Sequence, residues 1–91
     1  NLSQATNQNS LSVGEGCISS GFRSSAFGFK SIASVNDQTV IGTENDSNAN
    51  AQFIIGNGLA GNKSNSFEIL YDGTVVIKDL QVQGERQDTL S

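Results

Sequence analysis

Apolar residues come in short bursts along this chain, and the bursts recur. Leu11 and Val13 flank Ser12, Ala26-Phe27 lead to Gly28, Val40-Ile41 to Gly42, and Phe53-Ile54-Ile55 to Gly56. The four glycines Gly14, Gly28, Gly42 and Gly56 are fourteen residues apart each time. Aligned on them, the preceding column holds Val13, Phe27, Ile41 and Ile55. The column two before holds Ser12, Ala26, Val40 and Ile54, and the column four before is uncharged and polar: Ser10, Ser24, Gln38 and Gln52. After the glycine, Ile18 and Ile32 match in the first two copies. No stretch shows the 3.6-residue apolar period of a helix, so the pattern predicts strands.

Fourteen residues suit one coil of a narrow β-roll: two strands of about five residues, rising about 3.3 Å per residue, and two tight turns. Val, Ile, Phe and Thr favour the strands, and Gly, Asn, Asp and Ser favour the turns. Successive coils then stack with like strands paired in parallel. Gly14, Gly28, Gly42 and Gly56 mark either the start of a turn or a close approach of another backbone. The inside of so narrow a coil takes only small side chains. Val13, Phe27, Ile41 and Ile55 are therefore expected outside, as an apolar stripe one strand spacing apart. Such a stripe is a partner surface, and a second copy of the chain in closed cyclic symmetry is the economical partner.

The period ends after Asn65, because the next glycine slot holds Leu70. The segment "FEILYDGTVVI" predicts antiparallel strands over 66–71 and 74–78. Asp72-Gly73 between them is a hairpin signal, with positive φ expected at Gly73. A further short strand is expected over 79–82, and the residues from 84 onward read as a tail or link. The resulting organisation is a lead-in (1–8), roll repeats (9–66), a hairpin (67–78) and a C-terminal tail or linker (79–91).

Composition narrows the function. The 91 residues amount to one small domain, only 35% hydrophobic, with ten Gly and no Pro, Met, Trp or His. Such a chain needs outside support to stay folded. Cys17 is the only cysteine, so a disulfide within the chain is excluded, and with no His and no second Cys a zinc site is nearly excluded too. That leaves association. The net charge is −4 and the five Lys and Arg are scattered, so no basic patch points to nucleic acid. No apolar run reaches the roughly 18 residues of a membrane span.

Candidate chemistry is sparse. Without His there is no Ser-His-Asp or Cys-His pair, and Cys17 reads as a small neutral residue in a slot that Ser31 and Asn45 fill in later copies. Glu44 and Asp46 with Asn45 and Asn48 resemble a set of calcium donors. They lack the regular Asp spacing of calcium-binding rolls, so "TENDSNAN" reads as a surface turn. "GNGLAG" at 56–61 precedes no helix and so lacks the basis of a phosphate loop. The chain is read as no enzyme, with no cofactor and no metal. Phe22, Phe29 and Tyr71 are candidate contacts for a glycan or protein, since exposed aromatic side chains stack on sugars and anchor interfaces. The alternative is that they pack in the core or between copies.

The first repeat, "NSLSVGEGCISSG", resembles the head repeat of trimeric autotransporter adhesins at Asn9, Ser10, Val13, Gly14, Gly16, Ile18, Ser19 and Gly21. Ser24, Ala26, Phe27, Gly28, Ser31, Ile32 and Ala33 match in the second. Similar repeats occur in bacteriophage tail fibres and spikes, where a closing segment similar to residues 52–77 follows. The resemblance implies an all-β homotrimer of left-handed parallel β-rolls. Val13, Phe27, Ile41 and Ile55 would face the threefold axis. Stacked repeats can slip by a whole coil, and residues 67–78 are the non-repetitive, strongly apolar segment, so this hairpin is expected to clamp the register, with Phe67 and Ile69 in the trimer core. The resemblance further implies a rigid fibre segment on a virion tail that supports host attachment, or alternatively an adhesin head on a bacterial outer surface that binds host glycan or protein directly.

Overall fold

The computed structural model describes residues 2–84 and contains nine strands, with no helix among the described residues. In chain order they are β1 (Gln4–Ala5), β2 (Leu11–Val13), β3 (Ile18–Ser19), β4 (Ser25–Phe29), β5 (Ile32–Ala33), β6 (Thr39–Thr43), β7 (Ala51–Asn57), β8 (Asn65–Leu70) and β9 (Val75–Ile77). They form two sheets: a three-stranded sheet β1-β3-β5 and a six-stranded sheet β2-β4-β6-β7-β8-β9. The chain crosses from one sheet to the other and back, so the parallel strands build a solenoid-like stack of coils.

The register follows the sequence spacing. Leu11 pairs with Ser25, Ser25 with Thr39 and Thr39 with Phe53; Ile18 pairs with Ile32, and Gln4 with Ile18. Every parallel partner lies fourteen residues away. The Gln4–Ile18 pair also carries the stack into the segment expected to be a lead-in. The two strands of a coil are unequal: three to seven residues in the large sheet, two in the small one. The expectation of two similar strands is corrected accordingly. The remaining residues of each coil form its corners.

Those corners hold the left-handed backbone positions. Asn9, Arg23 and Asp37 have φ of 60°, 57° and 62° at one corner; Gly16, Lys30 and Glu44 have 68°, 52° and 38° at the other. Backbone bonds tie each corner to the next coil. Arg23 N–H donates to Gln8 O, Asp37 N–H to Phe22 O, Lys30 N–H to Glu15 O and Glu44 N–H to Phe29 O. On the surface, Arg23 and Asp37 add a two-pronged ion pair with N···O distances of 2.6 and 3.0 Å.

The in-phase glycines are not turn residues. Gly28, Gly42 and Gly56 lie within β4, β6 and β7, and Gly14 directly follows β2. A Cβ on Gly14, Gly28 or Gly42 would overlap the carbonyl oxygen of the next glycine along the stack; one on Gly56 would meet Thr43 O at 2.6 Å. Close backbone approach is therefore the reason for the column.

The core between the sheets is built from small residues. Cys17, Ala26, Ala33, Val40, Ala51 and Ile54 are fully buried, with Ser19, Ser24 and Ser31 beside them. Cys17 closes the turn that begins at Gly14 and points its side chain into the roll. Fully burying a Val or Ile side chain is worth about 1.5–3 kcal/mol, and Val40 and Ile54 are the largest apolar side chains in this interior.

The small sheet ends at β5, and side-chain amides complete its edge. The Asn45 amide accepts from Ile32 N–H at 2.7 Å and donates to Ile32 O at 3.1 Å, as a neighbouring peptide would. Gln38 accepts from Ser34 N–H and donates to Asn48 O and Ala51 O. "TENDSNAN" is therefore not a plain surface turn: Glu44 and Asn45 are both buried. Buried amides must be paired, and these two are paired with the edge they close.

β8 folds back antiparallel on β7 and carries β9 on its far side. The hairpin bounds differ slightly from 66–71 and 74–78, and Gly73 has φ +94°. Asp72 accepts from Thr74 N–H at 2.9 Å, fixing the turn. No strand forms over 79–82. Of the C-terminal tail, residues 85–91 lie outside the described residues.

Candidate functional site: an apolar sheet face

Cross-strand register aligns one residue from each strand of the large sheet into a single row. Val13 pairs with Phe27, Phe27 with Ile41, Ile41 with Ile55, Ile55 with Phe67 and Phe67 with Ile77. All six are apolar. The alternation of side chains along each strand sends the row away from the roll, because its neighbours Ala26, Val40 and Ile54 are fully buried. Val13 is 51% exposed and Ile77 42%; Phe27, Ile41, Ile55 and Phe67 are half-buried. A second row runs beside it: Leu11, Ser25, Thr39, Phe53, Ile69 and Val75.

The rows differ in width along the stack. The second is polar at Ser25 and Thr39 but apolar at Phe53, Ile69 and Val75. The face is thus one apolar residue wide over β4 and β6 and two wide over β7, β8 and β9. Phe53 and Phe67 meet edge to face there, with ring centroids 6.2 Å apart and planes at 82°, an arrangement that adds about 0.5–1.5 kcal/mol beyond burial. Neither row contains a charged side chain. The stripe expected from Val13, Phe27, Ile41 and Ile55 is present, and Phe67 and Ile69 lie on the same face. Sequence reasoning missed Ile77 and Val75, whose place follows from hairpin register rather than from the repeat.

The three candidate contact aromatics do not form one patch: Phe29 lies apart from the other two. Phe29 ends β4, with the Lys30 ammonium 5.2 Å from its ring centroid. Phe22 precedes the other end of that strand, under the Arg23 guanidinium at 4.2 Å. Tyr71 is 47% exposed and donates its hydroxyl to Asn36 O. Asn36 also accepts from Phe22 N–H through its side chain, so Phe22 and Tyr71 share one corner. Burial raises the Tyr71 pKa, and the nearby Asp37 charge adds to this. A shallow hollow of about 290 Å³ lies between Tyr71, Asp72, Asn50 and Leu70.

Among the described residues no group of three or more His, Cys, Asp or Glu is placed to hold a metal ion. The loop amide of Gly61 already takes a carboxylate of this chain, Glu44 Oε1 at 2.7 Å. Comparison with protein-family models, with curated proteins and with solved structures yields no match.

Proposed function

We propose that this chain is a structural segment of a homotrimeric fibre: a left-handed roll of fourteen-residue coils closed by a β-hairpin, carried on a bacteriophage tail and supporting host attachment without catalysis. The observation that carries this reading is the unbroken apolar row from Val13 to Ile77. A ladder repeating at the strand spacing of about 4.8 Å is matched most simply by another ladder of the same pitch, and a second copy of the chain supplies one. The absence of charge along both rows fits burial between copies, where an unpaired charge is costly. The small-residue interior of the single roll fits the same reading, since ordering each backbone residue costs about 1–2 kcal/mol.

Sedimentation equilibrium tests the assembly. The chain should sediment at three times the monomer mass at micromolar concentration, and Ile41→Asp should abolish the trimer by placing three like charges near one axis. A well-folded monomer would sink the proposal. The second reading, an adhesin head that itself grips a host glycan or protein, draws on the exposed Tyr71 beside its hollow. A glycan array probed with the trimer separates the two, because a purely structural segment binds nothing on it.

A further inference from the structure

The strands of the large sheet run across the stack, all of β2, β4, β6 and β7 in one direction. A threefold axis along the stack, with the apolar face toward it, makes like strands of the three copies follow one another head to tail at equal height. Each strand end then meets the start of the same strand in the next copy. Such an interface is heterologous: it joins two different margins of the chain.

The margins can be read off the register. One carries Ser25 and Thr39, which start β4 and β6, and Phe53 of β7, which pairs with Thr39; the other carries the strand ends Phe29, Thr43 and Asn57. None of the six is charged. At equal height Phe29 lies opposite Ser25, Thr43 opposite Thr39 and Asn57 opposite Phe53: a large residue meets a small one at the first level, equal residues meet at the second, and the large residue is on the other margin at the third. We propose that Phe29 packs against Ser25 of the partner subunit, and that this side-by-side contact sets how the copies sit around the axis. The inference rests on the trimer proposed above. It assigns Phe29 to the assembly rather than to a receptor.

Cysteine cross-linking tests it. In a C17S background, which places at 17 the residue type found at 31 in the same interior column, the variant S25C/F29C is oxidised under native conditions. The two cysteines of one chain are four residues apart on a strand, about 13 Å at 3.3 Å per residue. That is too far for a disulfide within the chain, which needs Cα atoms within about 7 Å. The expected product is a covalent trimer on a non-reducing gel, with S25C and F29C alone remaining monomeric. A double variant that sediments as a trimer yet stays uncrosslinked overturns the margin pairing and leaves the trimer standing. A monomer by sedimentation in the C17S parent removes the trimer itself, and the pairing with it. Cross-linked dimers from either single variant would indicate a twofold contact and overturn both. As a second measure, S25F and F29S should each raise the concentration of half-dissociation at least tenfold. The swap S25F/F29S should restore it, and failure to restore it counts against the pairing.

Discussion

At Gly28 two constraints coincide: φ is +120°, and a Cβ would overlap Gly42 O. Gly73 shares only the first, with φ +94° and nothing within 4 Å of a would-be Cβ. Gly73→Ala should therefore cost about 1–3 kcal/mol, the usual cost of a strained backbone position. Gly28→Ala should cost more, because two stacked backbones must separate. Denaturant unfolding of both variants checks the order, and equal losses would contradict it. Asn45 offers a second residue-scale contrast. It is 2% exposed and bonds both the N–H and the C=O of Ile32. Asn45→Asp keeps the acceptor but turns a carboxylate toward Ile32 O, an expected loss of about 1–3 kcal/mol at neutral pH. Burial raises the pKa of such a carboxyl. The variant should therefore regain stability relative to the parent as pH falls, when the protonated acid can donate again. Melting the two proteins side by side from pH 7 to pH 4 tests this sign.

At the scale of elements, the hairpin differs from the coils in two respects that bear on assembly. It is antiparallel and its turn is pinned by Asp72, while it continues the two-residue apolar width that the face reaches at β7. The Thr74 backbone N–H holds the Asp72 carboxyl below its ordinary pKa, and the Arg23 side chain does the same for Asp37. A depressed carboxylate pKa contributes stability above the unfolded value, near 3.9, and loses it as pH falls through the folded value. The melting temperature should be flat from pH 7 to 5 on these groups' account and fall below about pH 4, with a shallower fall in Asp72→Asn. Stacked coils can slip by one whole coil at little cost, whereas the hairpin has no second register. Deleting residues 67–91 should leave a polydisperse or aggregated product with the β7 edge bare. Deleting residues 1–23 should leave a shorter, uniform assembly. Light scattering distinguishes the two results.

The elements were legible in the sequence to unequal degrees, for physical reasons. The apolar residue before each glycine and the Asp72-Gly73 turn are local signals, so the large sheet and the hairpin could be read directly. The small sheet could not be read at its true size, since two-residue strands leave almost no alternation to detect. Glu44 and Asn45 were misread as surface because polar residues usually are. Their burial depends on what they bond: Ile32 and the loop amide of Gly61, neither adjacent in sequence. On the candidate face, Val13 to Ile55 followed from the repeat, while Ile77 needed the hairpin register.

At the scale of the whole molecule, the described chain is a flat body with principal extents of 46 × 30 × 17 Å, and its two broad faces are unlike. One carries the apolar rows. The other presents the small sheet, which Asn45 and Gln38 bring to an end. Placing the ending in residues of a single coil, Gln38 and Asn45, has an evolutionary consequence. Duplicating a coil's worth of codons upstream of Gln38 lengthens the stack while leaving its end intact, because the end travels with its own residues. Losing a coil shortens the stack in the same way. The length of such a stack can thus drift in steps of one strand spacing, about 4.8 Å, and lineages that differ in length need not differ in how the stack ends.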